Sequence, residues 1–299
     1  MVVSCPAVAR RLTGQSQTTM PPPHSPERSS RPVFIIGSHR SGTTLLRYCL
    51  DAHPNLACPP ESKFIAALDL ATDYPQVLEA LGTLLSRKEI VNEFRVFIDR
   101  ILSAYAAKQG KRRWVDKTPN YYRILPFIEE VFSGDALYIF VVRHPFGCVA
   151  SLEKHFIPSV NHEDPDIARN TRLHGKGRYA WVMYWMDVYA RIDAFSSAAS
   201  GRCHTLRYEE LVSDTPSVLR SVLNFIGEPY DESLAERAFQ LPHTEGFQDP
   251  KIRATREVHR AGLCRWSEWP SSEIAALWRP AADLAAQFRY SCRLPDGIF

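Results

Sequence analysis

The sequence predicts an α/β fold in three layers, a central parallel sheet flanked by helices, and three observations predict it. Two apolar runs, Val33-Phe34-Ile35-Ile36 and Ala136 to Val142, have the continuous hydrophobic character of strands covered on both faces. Between them lie stretches with apolar residues at three- and four-residue steps, the period of helices packed on a core. The first run also ends in a glycine loop that opens directly into a helical pattern. Strands alternating with helices in this way put ligands at the C-terminal ends of the strands.

Each element follows in chain order. After Leu45-Leu46-Arg47-Tyr48, which begins the helix behind the glycine loop, Leu78, Leu81, Leu84 and Leu85 and then Phe94, Phe97, Ile98, Ile101, Leu102 and Tyr105 predict two helices over roughly residues 75 to 109. Trp114-Val115 reads as a short buried strand. Trp181, Trp185, Val188, Tyr189, Ile192 and Phe195 form an aromatic stripe at helical spacing, which we assign to core. Leu206-Arg207-Tyr208 ends a further strand. Asp214 or Thr215 caps the next helix with Pro216 in its first turn, and Ser271-Ser272-Glu273 opens a last helix disturbed at Pro280. There is no internal repeat.

A chain of 299 residues with 45% hydrophobic content can bury a sizeable core, and one domain over residues 32–299 is expected. Residues 1–31 contain Pro21-Pro22-Pro23 and many Ser and Thr without apolar periodicity, and are expected to be a disordered tail. The formal charge is +3, and Arg10, Arg11, Arg28 and Arg31 against Glu27 account for it. From totals of 36 basic and 33 acidic residues, 32 of each then remain for the rest of the chain, a balance that argues against nonspecific nucleic-acid binding. Seven cysteines lack any CxxC pair or His/Cys cluster, which suggests neither zinc nor a disulfide framework and fits a reducing compartment. Cys49 and Cys148 are read as small core residues. No stretch reaches the roughly 18 apolar residues of a membrane span, and the N-terminus lacks a signal peptide's apolar region. A cytoplasmic protein with no membrane span is expected.

Gly37-Ser38-His39-Arg40-Ser41-Gly42-Thr43-Thr44 is a phosphate cradle in a P-loop-like fold. Its glycines let backbone N–H groups converge on one anion, and the helix N-terminus adds about half a positive charge. A nucleotide triphosphatase loop carries Lys before its final Ser or Thr, and Thr43 stands in that place. Arg40 supplies the cation instead, beside the hydroxyls of Ser41, Thr43 and Thr44. The loop alone leaves open a nucleotide-dependent phosphotransferase or a noncatalytic nucleotide-binding module.

Four segments together resemble the sulfotransferases that use 3′-phosphoadenosine 5′-phosphosulfate (PAPS), and among them the branch that includes tyrosylprotein sulfotransferases. They are Arg40-Ser-Gly-Thr-Thr-Leu, Pro60-Glu61-Ser62-Lys63, Asp116-Lys117-Thr118-Pro119, and Val142-Arg143-His144-Pro145 with Ser151 eight residues past the arginine. They cover about residues 32 to 156. The Golgi members usually carry an N-terminal anchor, so this chain looks like a bacterial relative.

The resemblance implies sulfuryl transfer from PAPS to an acceptor hydroxyl without a metal, leaving adenosine 3′,5′-bisphosphate (PAP). It implies Glu61 as the base, and Arg40 and Lys117 as the cations at the transferred sulfonate. His39 to Thr44 would hold the 5′-phosphosulfate, Arg143 and Ser151 the 3′-phosphate. A guanidinium fork matches a terminal phosphate bidentately. His144 stands where many relatives have Asp or Asn, and is read as a backbone or solvent contact. Tyr208, in Tyr208-Glu209-Glu210-Leu211, and Arg256, ten residues before Trp266, match later cofactor-contacting positions. The segment from His243 to Arg265 is either a lid over the donor or a solvated charged loop. The family's acceptors range over protein tyrosines, sugars, lipids and small phenols, and the branch favours a peptide tyrosine.

Overall fold

The computed structural model describes residues 30–155, 164–246, 255–260, 263–294 and 297–298. The expected tail lies outside them except for Ser30 and Arg31, as do residues 247–254 and 261–262 of the segment read as a lid or a solvated loop. The described residues form two compact units. One is drawn from His24–Val142 and Val188–Val258, the other from Arg143–Asp187 and His259–Phe299.

The first unit is built on a parallel sheet. Its strands are β1 (Val33–Gly37), β2 (Leu56–Ala57), β3 (Arg113–Lys117), β4 (Leu137–Val142) and β5 (Cys203–Arg207), in the spatial order β2-β3-β1-β4-β5. Val33 pairs in register with Val115 on one side and Leu137 on the other. β1 is therefore central, and the C-terminal ends of β1 and β3 finish at the same edge, where such sheets bind ligands.

Alternation along β1 sends side chains to opposite layers. Val33 and Ile35 join an aliphatic cluster with Leu46, Cys49, Leu219, Val222 and Ile226. Phe34 faces aromatic rings, with Trp114 edge-on at 5.7 Å and Tyr138 stacked at 6.0 Å. Phe195 closes that layer edge-on to Tyr138 at 4.8 Å, so the predicted aromatic stripe is core in this part.

The helices of this unit follow from local signals. α1 (Thr43–Asp51) starts behind the glycine loop. α2 (Phe64–Asp73) is a helix that the sequence reading did not separate, and α3 (Pro75–Gly82) and α4 (Arg87–Lys108) are the two expected between 75 and 109. Ser86 and Glu89 form a reciprocal capping box that fixes where α4 begins. A 3-10 turn (Pro119–Arg123) and α5 (Leu125–Phe132) follow β3. α9 (Tyr208–Ser213) begins at Tyr208, so that residue opens a helix and does not end β5. Of the two residues read as the cap, Asp214 caps α10 (Thr215–Ile226) by accepting from Ser217 N–H at 3.2 Å. α11 (Leu234–Arg237) is a single turn.

The second unit contains α6 (Pro145–His155), α7 (Pro165–His174) and α12 (Ser271–Gln287), and residues 178–187 of α8 (Arg178–Ala198). α12 continues through Pro280. His144 lies in an aromatic cluster here, parallel to Trp266 at 4.9 Å and to Trp278 at 5.5 Å. Its Nδ1 accepts from Phe146 N–H at 3.2 Å, the backbone contact expected of it, although the ring is buried rather than bathed in solvent. Strands β6 (Arg293–Leu294) and β7 (Gly297–Ile298) pair antiparallel.

Candidate functional site

The glycine loop is held in shape by bonds the chain makes to itself. Ser41 Oγ donates to Ser38 O at 2.8 Å, so this hydroxyl closes the turn. Tyr189 pins the loop from above the sheet. Its hydroxyl donates to Val141 O at 2.9 Å and accepts from Ser38 N–H at 3.3 Å. Arg40 has a φ of 67°, an uncommon left-handed conformation for a residue with a side chain, and strain of this kind collects at ligand-binding loops. Gly42 has a φ of 100°, and a Cβ there would stand 2.4 Å from Tyr208 Cδ2. Only glycine fits. The same observation brings Tyr208 against the loop, where the sequence motif alone had placed it.

Gly42 is the N-cap of α1, and no side chain caps this end; its first turn also lacks an acidic residue. The polarised N–H groups of the first turn are thus left to an anion, as a phosphate cradle requires. Thr43 and Thr44 are buried in that turn, and His39 and Arg40 are half-buried before it.

Glu61 and Lys117 meet beside it. Lys117 Nζ, fully buried at the end of β3, donates to Glu61 Oε1 at 2.9 Å and lies 3.5 Å from Thr44 Oγ1. Burial presses the Lys117 ammonium below its ordinary pKa, and the Glu61 charge and hydrogen bond work the other way. An uncompensated lysine here would cost several kcal/mol, so the carboxylate is part of what lets the cation sit inside the fold. Lys63 Nζ stands 3.6 Å from the other Glu61 oxygen, on an exposed side chain.

The segment carrying Glu61 is gripped at several points. On its N-terminal side, the buried Arg47 of α1 donates Nε–H to Cys58 O at 2.8 Å and Pro59 O at 3.0 Å. One turn later on α1, Asp51 accepts from Cys58 N–H at 2.9 Å and from the His243 ring at 2.8 Å. Burial works to raise the Asp51 carboxyl, but His243, Lys111 and the Cys58 N–H outweigh it and hold it low. His243, the first residue of the segment read as either a lid or a solvated loop, is thus a structural anchor, and Gly246 rests on Pro60 so closely that a Cβ would meet its ring at 2.7 Å. On the C-terminal side, Ser62 donates to Asp116.

The remaining candidates fall elsewhere. Arg143 and Ser151 belong to the second unit, at the start and in the body of the segment leading through α6. Arg143 is buried, its carbonyl accepts from Trp185 Nε1 at 2.9 Å, and a Cβ on Gly147 would come within 2.9 Å of its Nε. Glycine at 147 therefore makes room for the guanidinium. Arg256 is exposed. Among the described residues no group of three or more His, Cys, Asp or Glu is arranged to hold a metal ion. No helix among them is long and apolar enough to cross a membrane. All six described cysteines are free thiols, and Cys49 and Cys148 are buried as expected.

Sequence reasoning missed Arg47, Ser62, Asp116, Tyr121 and Tyr189 as supports of this site. The signals existed for two of them: Arg47 interrupts the apolar run Leu45 to Leu50, and Asp116 precedes Lys117 in a strand whose other residues are apolar or basic.

Comparison with known proteins places the chain among sulfotransferases. Nodulation protein NoeE of Sinorhizobium fredii is 30% identical over 208 residues, which are 65% of this chain and 49% of NoeE. Protein-tyrosine sulfotransferase A of Caenorhabditis elegans is 24% identical over 274 residues, 88% of this chain and 68% of that protein. The chain thus spans about half to two thirds of the length of these relatives. The solved sulfotransferase domain of the Synechococcus PCC 7002 olefin synthase superposes with a TM-score of 0.57 at 26% identity, over 89% of this chain and 97% of that domain. The Sulfotransferase family matches residues 32–232, two thirds of the sequence, with the glycine loop, Glu61, Lys117 and Arg143 inside the match, and the chain belongs to that family.

Proposed function

We propose that the chain moves a sulfuryl group from PAPS to an acceptor hydroxyl, with a peptide tyrosine as the favoured acceptor and residues 32–299 acting as the catalytic domain. The observation that carries this reading is the buried Lys117 held 2.9 Å from Glu61 and 3.5 Å from Thr44, which joins a cation and a carboxylate to the first turn behind an anion cradle.

The residues divide the work as follows. Glu61 takes the proton of the acceptor hydroxyl as its oxygen bonds to sulfur. Arg40 and Lys117 offset the charge on the sulfonate and on the bridging oxygen of the departing PAP, and in-line transfer needs little else than this alignment. The loop from His39 through Ser41, Gly42, Thr43 and Thr44 holds the 5′ end of the donor. Arg143 and Ser151 take its 3′-phosphate, with Tyr208 and Arg256 as further donor contacts. A reducing, cytoplasmic setting belongs to the same reading.

Calorimetry with PAP, ATP and ADP tests the donor. Selective binding of PAP is expected, and preference for ATP would refute it. PAPS is then offered with a tyrosine peptide, simple phenols, oligosaccharides and aliphatic alcohols. Glu61→Gln should lower turnover of the most active acceptor by about 10²- to 10⁴-fold while leaving PAP affinity nearly intact.

A further inference from the structure

We propose that Asp116, acting through Ser62, positions Glu61, with Tyr121 fixing the direction of the chain of hydroxyls that links them. The inference rests on the reading of Glu61 as the base.

Ser62 Oγ lies 2.5 Å from Asp116 Oδ2 and 3.0 Å from the Tyr121 hydroxyl, and Thr118 Oγ1 donates to Asp116 Oδ1 at 3.1 Å. Ser62 has one proton, and the carboxylate takes it. Tyr121 must then donate to Ser62, so the bonds run from Tyr121 to Ser62 to Asp116, with Thr118 completing the other oxygen. The carboxylate is fully buried, and such a group is costly to bury for packing alone. One of its two bonds falls on Ser62, the residue immediately after Glu61.

Two consecutive strand residues therefore grip two consecutive loop residues. Side chains alternate along β3. Asp116 takes Ser62, and Lys117 takes Glu61. The loop needs such a hold because Lys63, the next residue, has a φ of 56° and turns the chain sharply into α2. With Arg47 fixing the carbonyls of Cys58 and Pro59 and Asp116 the Ser62 hydroxyl, the chain on both sides of Glu61 is tied to buried ionic groups. Freeing one side lets the Glu61 carboxylate drift from the reacting oxygen without touching the anion cradle.

The test is a cycle of full-chain variants, Ser62→Ala, Ser62→Thr, Glu61→Gln and Ser62→Ala with Glu61→Gln, read by single-turnover PAP formation with the most active acceptor of the panel above and by PAP calorimetry. Ser62→Ala should lower turnover about tenfold, the scale of a sub-ångström misplacement, with PAP affinity within about twofold of wild type. Ser62→Thr should restore most of the loss. In the Glu61→Gln background, Ser62→Ala should cost less than about twofold, because a residue that acts through Glu61 has nothing left to act on. An equal loss in both backgrounds, wild-type turnover of Ser62→Ala, or PAP affinity falling along with turnover would overturn the positioning role. Wild-type turnover of Glu61→Gln would instead overturn the base reading beneath it. Should Ser62→Ala fail to fold, Tyr121→Phe, which leaves the Ser62–Asp116 bond in place but removes its donor, is read on the same cycle with a threefold to tenfold loss expected and the same refuting results.

Discussion

Replacing Asp116 by Asn should change how stability depends on pH, and the size of the change follows from its burial. Desolvation raises this carboxyl from 3.8 to about 6, against the pull of hydrogen bonds from Ser62 and Thr118 and of the Lys117 charge. In the unfolded chain it returns to about 3.9. Between the two values the folded protein binds more protons than the unfolded chain, so the Asp116 contribution to stability falls as pH rises. That contribution is complete below about pH 4 and gone above about pH 6. A shift of about two units at 1.36 kcal/mol each gives about 3 kcal/mol. Asn does not titrate, and subtracting the variant removes the other carboxylates from the comparison. Urea denaturation at intervals from pH 4 to pH 7 should therefore show the stability of wild type, relative to Asp116→Asn, dropping by about 3 kcal/mol across the range. A difference that stays constant to within about 0.5 kcal/mol would refute the claim that Asp116 is a desolvated carboxylate in the folded protein.

Other consequences are as direct. Gly42→Ala forces a side chain into a φ of 100° and against Tyr208, so PAP affinity measured by calorimetry should fall at least about tenfold. Lys117→Met replaces a buried ion pair member with an apolar chain of similar length; turnover should drop by more than about 100-fold while thermal stability changes by less than about 2 kcal/mol, since Glu61 is partly exposed and can rehydrate. Arg143→Ala should weaken PAP binding by about 2–3 kcal/mol in calorimetry and leave turnover at saturating donor near wild type, the reverse of Glu61→Gln.

The parts of this fold that were legible in the sequence are those that local physics determines. Four apolar residues before a glycine loop read as a buried strand, and β1 is one; the continuous apolar run Ala136 to Val142 marked β4, and Trp114-Val115 marked β3. Asp214 before Pro216 marked a helix start because capping is a matter of three or four neighbouring residues. Tyr208 was misplaced by a residue or two because a strand end and a helix start share the same short pattern, and α2 was not separated because nothing in Ser62-Lys63 announces a left-handed turn. What the sequence hid were pairings across long separations. Ser62 and Asp116 are 54 residues apart, Glu61 and Lys117 56, and Asp51 and His243 192. A resemblance can name Glu61 and Lys117, but only packing shows that Lys117 is fully buried or that the segment from His243 begins with a histidine locked to α1.

The arrangement also explains why a charged residue interrupts α1. A helix of nine residues is about 13 Å long, too short to serve as much of a layer, yet it touches both halves of the proposed chemistry. Its N-terminal turn presents N–H groups to the anion, and from its interior Arg47 and Asp51, four residues apart on one face, reach the carbonyls of Cys58 and Pro59 and the N–H of Cys58. An aliphatic residue at 47 would pack as well against the sheet but would leave two buried carbonyls without a donor. The cost of burying the guanidinium is thus offset by those carbonyls, and the return is geometric: the anion cradle and the segment bearing Glu61 are anchored to one rigid helix. Under the proposed chemistry, this shared anchor holds Glu61 at a fixed distance from the anion cradle.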